Sequence, residues 1–164
     1  MARYSMSFVS KTMTPVADAT NMTDNGYAGF LQGANSTMRL AISEVYIGGE
    51  SPSASTPCTM VLGRDSTVAA TGIGGNFNAA LDATATQPTL AVYGCVSTTK
   101  PQRSATVGHL LQLSLNTYGG IARWQARHGE EIITIGNAAG FGEVSLSSIT
   151  GAGLVSGHIL YEVV

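Results

Sequence analysis

Apolar side chains at every second position, in short runs that recur at about ten-residue intervals, constrain this chain more than any other feature. Leu111, Leu113 and Leu115 form one such row, and Ala122, Trp124 and Ala126 form the next. Ile133 and Ile135 continue the pattern, followed by Val144 and Leu146. Near the end Val155, Ile159, Tyr161 and Val163 fall on one side with Gly157 between them, and this strand is expected to tie the C-terminus into a sheet. Earlier, Met38, Leu40 and Ile42 alternate with Arg39, Ala41 and Ser43. A repeat of two sends alternate side chains to opposite faces of a strand, so each run reads as a half-buried strand. The apolar stretches "CTMVLG" and "TLAVYGCVST", the latter with Leu90, Val92 and Gly94 on one side, add two more strands. Helical spacing is weak throughout, and the one short helix expected lies at 77–83, "FNAALDA". The expectation is a single all-β domain over residues 1–164, an antiparallel β-sandwich of jelly-roll type.

Residues 1–37 carry little periodicity and many turn formers, including Asn25-Gly26. They read as an extended arm with little regular structure, of a kind that lies on a neighbouring subunit. Gly119-Gly120 reads as the turn of a hairpin between the strands that contain Leu115 and Trp124, because no helix follows to cradle a phosphate. The glycine cluster at 151–157 fails as a dinucleotide loop because a strand pattern follows it, and that at 71–77 because it leads at best into one helical turn.

Only 11% of the residues are charged, against 44% apolar, which suits a surface that packs on other subunits. A net charge of −2 gives no field to draw nucleic acid, and no apolar run is long enough for a helical membrane span. The start "MARYSMSFVSK" lacks the apolar core of a signal peptide, so synthesis in the cytoplasm is expected, with Cys58 and Cys95 as buried thiols rather than a disulfide. No catalytic, metal or cofactor motif stands out. "RHGEE" places His128 near Glu130 and Glu131 but reads as a polar hairpin turn, and His109 and His158 stand alone. What remains is a row of Arg123, Gln125 and Arg127 on the face opposite Trp124. Arginine is enriched in desolvated interfaces, which makes this row the candidate docking face.

The segment 109–164, with its leucine-alternating strand, "ARWQA", "GEEI" and "GFG", resembles a group of small virion proteins of tailed bacteriophages. "MRLAISEVYIGGESPS" is similar to their early strand and the Ser- and Pro-rich loop that follows it. Where those proteins carry a Pro-Gly-Gly-Glu turn, this chain has "RHGEE" without the proline. The resemblance implies a jelly-roll protein of the capsid, of the decoration or cement type. Its implied partners are the major capsid protein and copies of itself in a dimer or trimer, with neither nucleic acid nor membrane. It implies no catalytic residue and no cofactor. Two other roles compete: a carbohydrate or host-surface binding module displayed on the virion, and a tail or head–tail structural protein. The lone Trp124, on a face expected to be buried, counts against sugar binding.

Overall fold

The computed structural model describes residues 2–53, 56–69, 77–85, 91–94, 96–136 and 141–164. Twelve strands are described: β1 (Arg3–Met13), β2 (Tyr27–Gly33), β3 (Arg39–Gly49), β4 (Pro57–Thr67), β5 (Phe77–Ala80), β6 (Ala91–Gly94), β7 (Gln102–Arg103), β8 (His109–Asn116), β9 (Ile121–Gln125), β10 (Ile132–Ile135), β11 (Val144–Thr150) and β12 (Gly153–Val163). They form two antiparallel six-stranded sheets. The first runs β10-β3-β12-β1-β5, with β9 also on β3; the second runs β6-β2-β11-β4-β7, with β8 also on β4.

The sheets face each other across one apolar core. Tyr4, Met6, Phe8, Leu40, Ile42, Val45, Ile47, Val155, Ile159 and Tyr161 enter it from the first sheet. Ala28, Leu31, Cys58, Met60, Leu62, Leu115, Val144 and Leu146 enter it from the second. These are the period-two rows of the sequence, and burying each large apolar side chain contributes about 1.5–3 kcal/mol. Trp124 and Ala122 pack on the core edge, so Arg123 and Gln125 project outward as the alternation requires.

A close approach of strands explains Gly157. A Cβ there would stand 2.0 Å from the Tyr46 carbonyl oxygen and 2.8 Å from Phe8 Cζ. Gly157→Ala is expected to cost about 2–3 kcal/mol of stability, read as a lower urea midpoint, because both neighbours belong to packed strands.

Several expectations give way. Residues 1–37 are not an arm of little regular structure: β1 lies between β12 and β5, and every residue of β2 is buried. Tyr4, Met6 and Phe8 alternate with Ser5 and Ser7, so β1 has a core face of its own. The connection 14–26 lies over the outward face of the second sheet. Val16 N donates to the Ser148 carbonyl (3.0 Å), Ala19 N to Arg103 (2.9 Å) and Met22 N to Pro101 (3.0 Å). Beneath it Met22, Tyr27, Phe30 and Ala69 form a small second core.

The helix expected at 77–83 is instead β5 followed by turns, held by the β1 ladder from Tyr4–Ala80 to Ser7–Phe77. Gly119-Gly120 does form a turn, with Gly119 at φ 75° and Gly120 N bonded to the Asn116 carbonyl at 2.8 Å. It is not the turn of a paired hairpin, however, because β8 pairs with β4 and β9 with β3, so the chain crosses here from one sheet to the other. "RHGEE" is not a hairpin turn either. β9 and β10 lie end to end along the same edge of β3, and residues 126–131 are an excursion between them. On β10, Ile132 packs on the core and Thr134 is buried, one residue out of phase with the expected Ile133 and Ile135. The free thiol of Cys58 is buried 3.6 Å from Ser148 Oγ; Cys95, Leu90 and residues 71–76 of the first glycine cluster lie outside the described residues.

Candidate functional site

On the outward face of the first sheet the ladders set side chains from different strands in rows. Ser7, His158, Tyr46 and Arg123 form one row across β1, β12, β3 and β9. Glu44 lies two residues before Tyr46 on β3 and is almost fully covered. Arg123 Nη2 donates to Glu44 Oε2 at 2.7 Å, and His158 Nε2 meets Glu44 Oε1 at 2.9 Å. A carboxylate only accepts, so the His158 nitrogen carries the proton. The His158 ring stacks on Tyr46 at 5.3 Å between centroids and 14° between planes. The Arg123 hydrogen bond, opposed by burial and aided by His158, holds the Glu44 carboxyl below the usual carboxylate range.

The three residues of the expected docking row therefore part company. Arg123 is outward and exposed but tied to Glu44; Gln125 is exposed one step along β9; Arg127 is exposed in the excursion that follows. In that excursion Glu131 Oε1 accepts from Gly129 N at 3.2 Å, and the fully exposed His128 lies 4.0 Å away. Among the described residues no cluster of three or more His, Cys, Asp or Glu side chains is arranged to hold a metal ion.

Continuing along the same face, Gly48 pairs with Ser156, and beyond them stands Glu50. Val9 on β1 and Ile121 on β9 are 62% and 65% exposed. Between them lies a groove of about 490 Å³ with Tyr46 and His158 on its lining and Glu50 at its rim. A bulge in β1 between Phe8 and Lys11 turns the chain here, and Ser10 adopts φ 48°, the left-handed region that a side chain disfavours. Ser10 N donates to Ser156 Oγ at 2.8 Å and Ser10 Oγ to Glu50 Oε2 at 2.9 Å. Hydrogen bonds from Ser156 and Ser10 hold the Glu50 carboxyl below its usual range.

A second polar cluster lies under the 14–26 connection. Asp65 on β4, Glu143 just before β11, and Arg103 on β7 are each fully buried. The Arg103 guanidinium bonds Asp18, Ser147 Oγ and the Val16 carbonyl, and Asp18 in turn meets His109 Nε2 at 3.1 Å. Burial works to raise the Asp18 pKa, but Arg103 and His109 outweigh it and hold the carboxyl low. Ser145 Oγ donates to Asp65 Oδ1 at 2.7 Å and Ala69 N to Glu143 Oε1 at 2.8 Å. Burial pushes Asp65 up to about 7; burial and the neighbouring Asp65 charge push Glu143 up to about 10. Among the described residues Asp65 Oδ2 and Glu143 Oε2 have no other donor, which leaves a proton retained by the coupled pair as the link between the two carboxyls. His109 and His158, which stand alone in the sequence, are both carboxylate-bound in the fold.

No family model, no curated protein and no solved structure matches this chain.

Proposed function

We propose that this chain is a structural protein of a tailed-bacteriophage virion, a jelly-roll that decorates or cements the capsid by bridging neighbouring capsid subunits without covalent bonds. Its location would be the assembled capsid, and its partners the major capsid protein and further copies of itself. The jelly-roll reading is supported by the strand orders β1-β12-β3-β9 and β2-β11-β4-β8, in which β1 to β4 and then β8, β9, β11 and β12 alternate between the sheets.

The observation that carries the docking role is the exposed series Arg123, Gln125 and Arg127 along the open edge of the first sheet. Arginine offers a planar fork of donors that matches carboxylates and backbone carbonyls across an interface. Many modest contacts on a symmetric shell add through multivalency, so a contact of roughly 1,600 Å² at each site is enough for stable attachment.

The test is co-sedimentation with purified empty capsids. The wild-type chain is expected to bind in a fixed, saturable ratio. Arg127→Glu, whose side chain is exposed, is expected to lower occupancy by about tenfold or more while leaving the circular-dichroism melt unchanged. A wild-type chain that ignores capsids overturns the reading; unchanged occupancy of Arg127→Glu removes the arginine edge from it.

A further inference from the structure

The groove between Val9 and Ile121 is chemically unlike the arginine edge beside it, and it does not depend on the capsid role. Its walls are aliphatic, set on β1 and β9, and three strand spacings, roughly 14 Å, separate their backbones. Between them Gly48 presents no side chain, and the Tyr46 ring leans along its own strand over that gap. The Tyr46 hydroxyl lies 3.6 Å from where a Gly48 Cβ would stand. The ring is held in place before any ligand arrives: it stacks on His158, His158 is fixed by Glu44, and Glu44 by Arg123.

The rim is polar and also fixed. Glu50 presents an ionised carboxylate oriented by the hydroxyls of Ser10 and Ser156. The strained Ser10 belongs to the same bulge that leaves Val9 standing outward as a wall. Strain of this kind persists where the surrounding structure holds it, and it concentrates at sites that grip ligands.

The lining selects among ligands. An anion would meet the Glu50 charge. A simple cation would find one carboxylate among the described lining residues, since Glu44 is already paired with Arg123 and hydrogen-bonded to His158. A purely apolar side chain would cover Glu50 and the serine hydroxyls without replacing their water. A sugar ring satisfies both parts: its C–H face lies on the aromatic floor between aliphatic walls, and its hydroxyls donate to Glu50. We propose that this groove is a binding site for a neutral saccharide ring.

The structure supplies a variant that blocks the groove and spares the fold. Gly48 faces outward in a strand, its backbone is not in the left-handed region, and an added Cβ has only ordinary contacts, the nearest at 3.6 Å. Gly48→Val therefore fills the groove with a residue that strands favour.

The experiment is a set of amide chemical-shift titrations of the 15N-labelled protein with the methyl glycosides of glucose, galactose and N-acetylglucosamine. At least one glycoside is expected to give saturable shifts centred on Gly48, Gly157 and Ile121. Gly48→Val and Tyr46→Ala should each weaken that binding by about tenfold or more, while Tyr46→Phe and Arg127→Glu retain it. Absence of saturable shifts with all three glycosides overturns the proposal, as do shifts that survive in both Gly48→Val and Tyr46→Ala. Tighter binding at the same amides by 3-methylindole, used as an apolar probe, also overturns it and makes the groove a seat for an apolar side chain. Because Arg127→Glu is neutral here and decisive in the capsid assay, failure of one reading leaves the other standing.

Discussion

The stability of this protein is expected to fall as pH rises from about 5 towards 8, and Asp65→Asn is expected to flatten that fall. Asp65 has a folded pKa of about 7 against an ordinary 3.8, and Glu143 about 10 against 4.5, with burial the main cause of both. A carboxyl whose folded pKa lies above its unfolded value holds its proton more tightly when folded. Its contribution is intact below the ordinary carboxylate range and is lost as pH climbs through the folded values. Each proton kept only by the folded chain tilts stability by about 1.4 kcal/mol per pH unit. Asp18 and Glu44 have lowered pKa values, so their contributions are present above their ordinary values and are lost on acidification, outside this window. In Asp65→Asn the amide oxygen still accepts from Ser145, and the amide nitrogen offers Glu143 the bond that the shared proton provided. Urea midpoints across the pH series for wild type, Asp65→Asn and Glu143→Gln decide the matter. Parallel profiles for all three would mean that the pair does not hold the proton.

Arg103→Met is expected to cost about 3–5 kcal/mol and to free the 14–26 connection from the sheet beneath it. Arg103 is fully buried, and its guanidinium joins Asp18 and the Val16 carbonyl on the connection to Ser147 on β11. Removing it leaves Asp18 with His109 and takes away the cation that faces Asp65 among the described residues. Methionine keeps most of the stem, which lies on Gly63, where a Cβ would stand 2.7 Å from Arg103 Cδ. The loss is therefore one of hydrogen bonds and charge rather than of volume. Chemical denaturation gives the magnitude, and limited proteolysis should place the first new cleavage within 14–26. A change below about 1 kcal/mol would show that water replaces these bonds and that the cluster does not hold the connection down.

The strands of the core were legible because burial on one face leaves a period of two in the sequence. Leu40 and Ile42, Val144 and Leu146, and Val155 to Tyr161 all face inward as their spacing requires. β1 carries the same signal in Tyr4, Met6 and Phe8, but the turn-rich residues after it gave the whole of 1–37 the look of an arm. Period alone does not say which strands pair. The local chemistry of Gly119-Gly120 fits a hairpin equally well, and only the ladders of β4 and β3 show that β8 and β9 lie in different sheets. The outward direction of Arg123 and Gln125 could be read from their alternation with Trp124; the Glu44 partner, distant in sequence, could not. Asp65, Glu143 and Arg103 belong to no motif that marks them in the sequence. The one local hint was Asp65 inside the apolar run "TMVLGRDST", and its meaning depended on residues brought in by β7 and β11.

The interior position of β12, between β1 and β3, bears on how the chain reaches this structure. β11 occupies the equivalent place between β2 and β4, so each sheet is closed by a strand that follows both of its neighbours in the chain. Until those two strands arrive, β1 and β2 each lack one neighbour, and the apolar side chains they carry have little to pack against. Folding is then dominated by non-local pairing, in a class that takes milliseconds to seconds rather than microseconds. Until β11 and β12 pair, the early strands remain open to pairing with other chains.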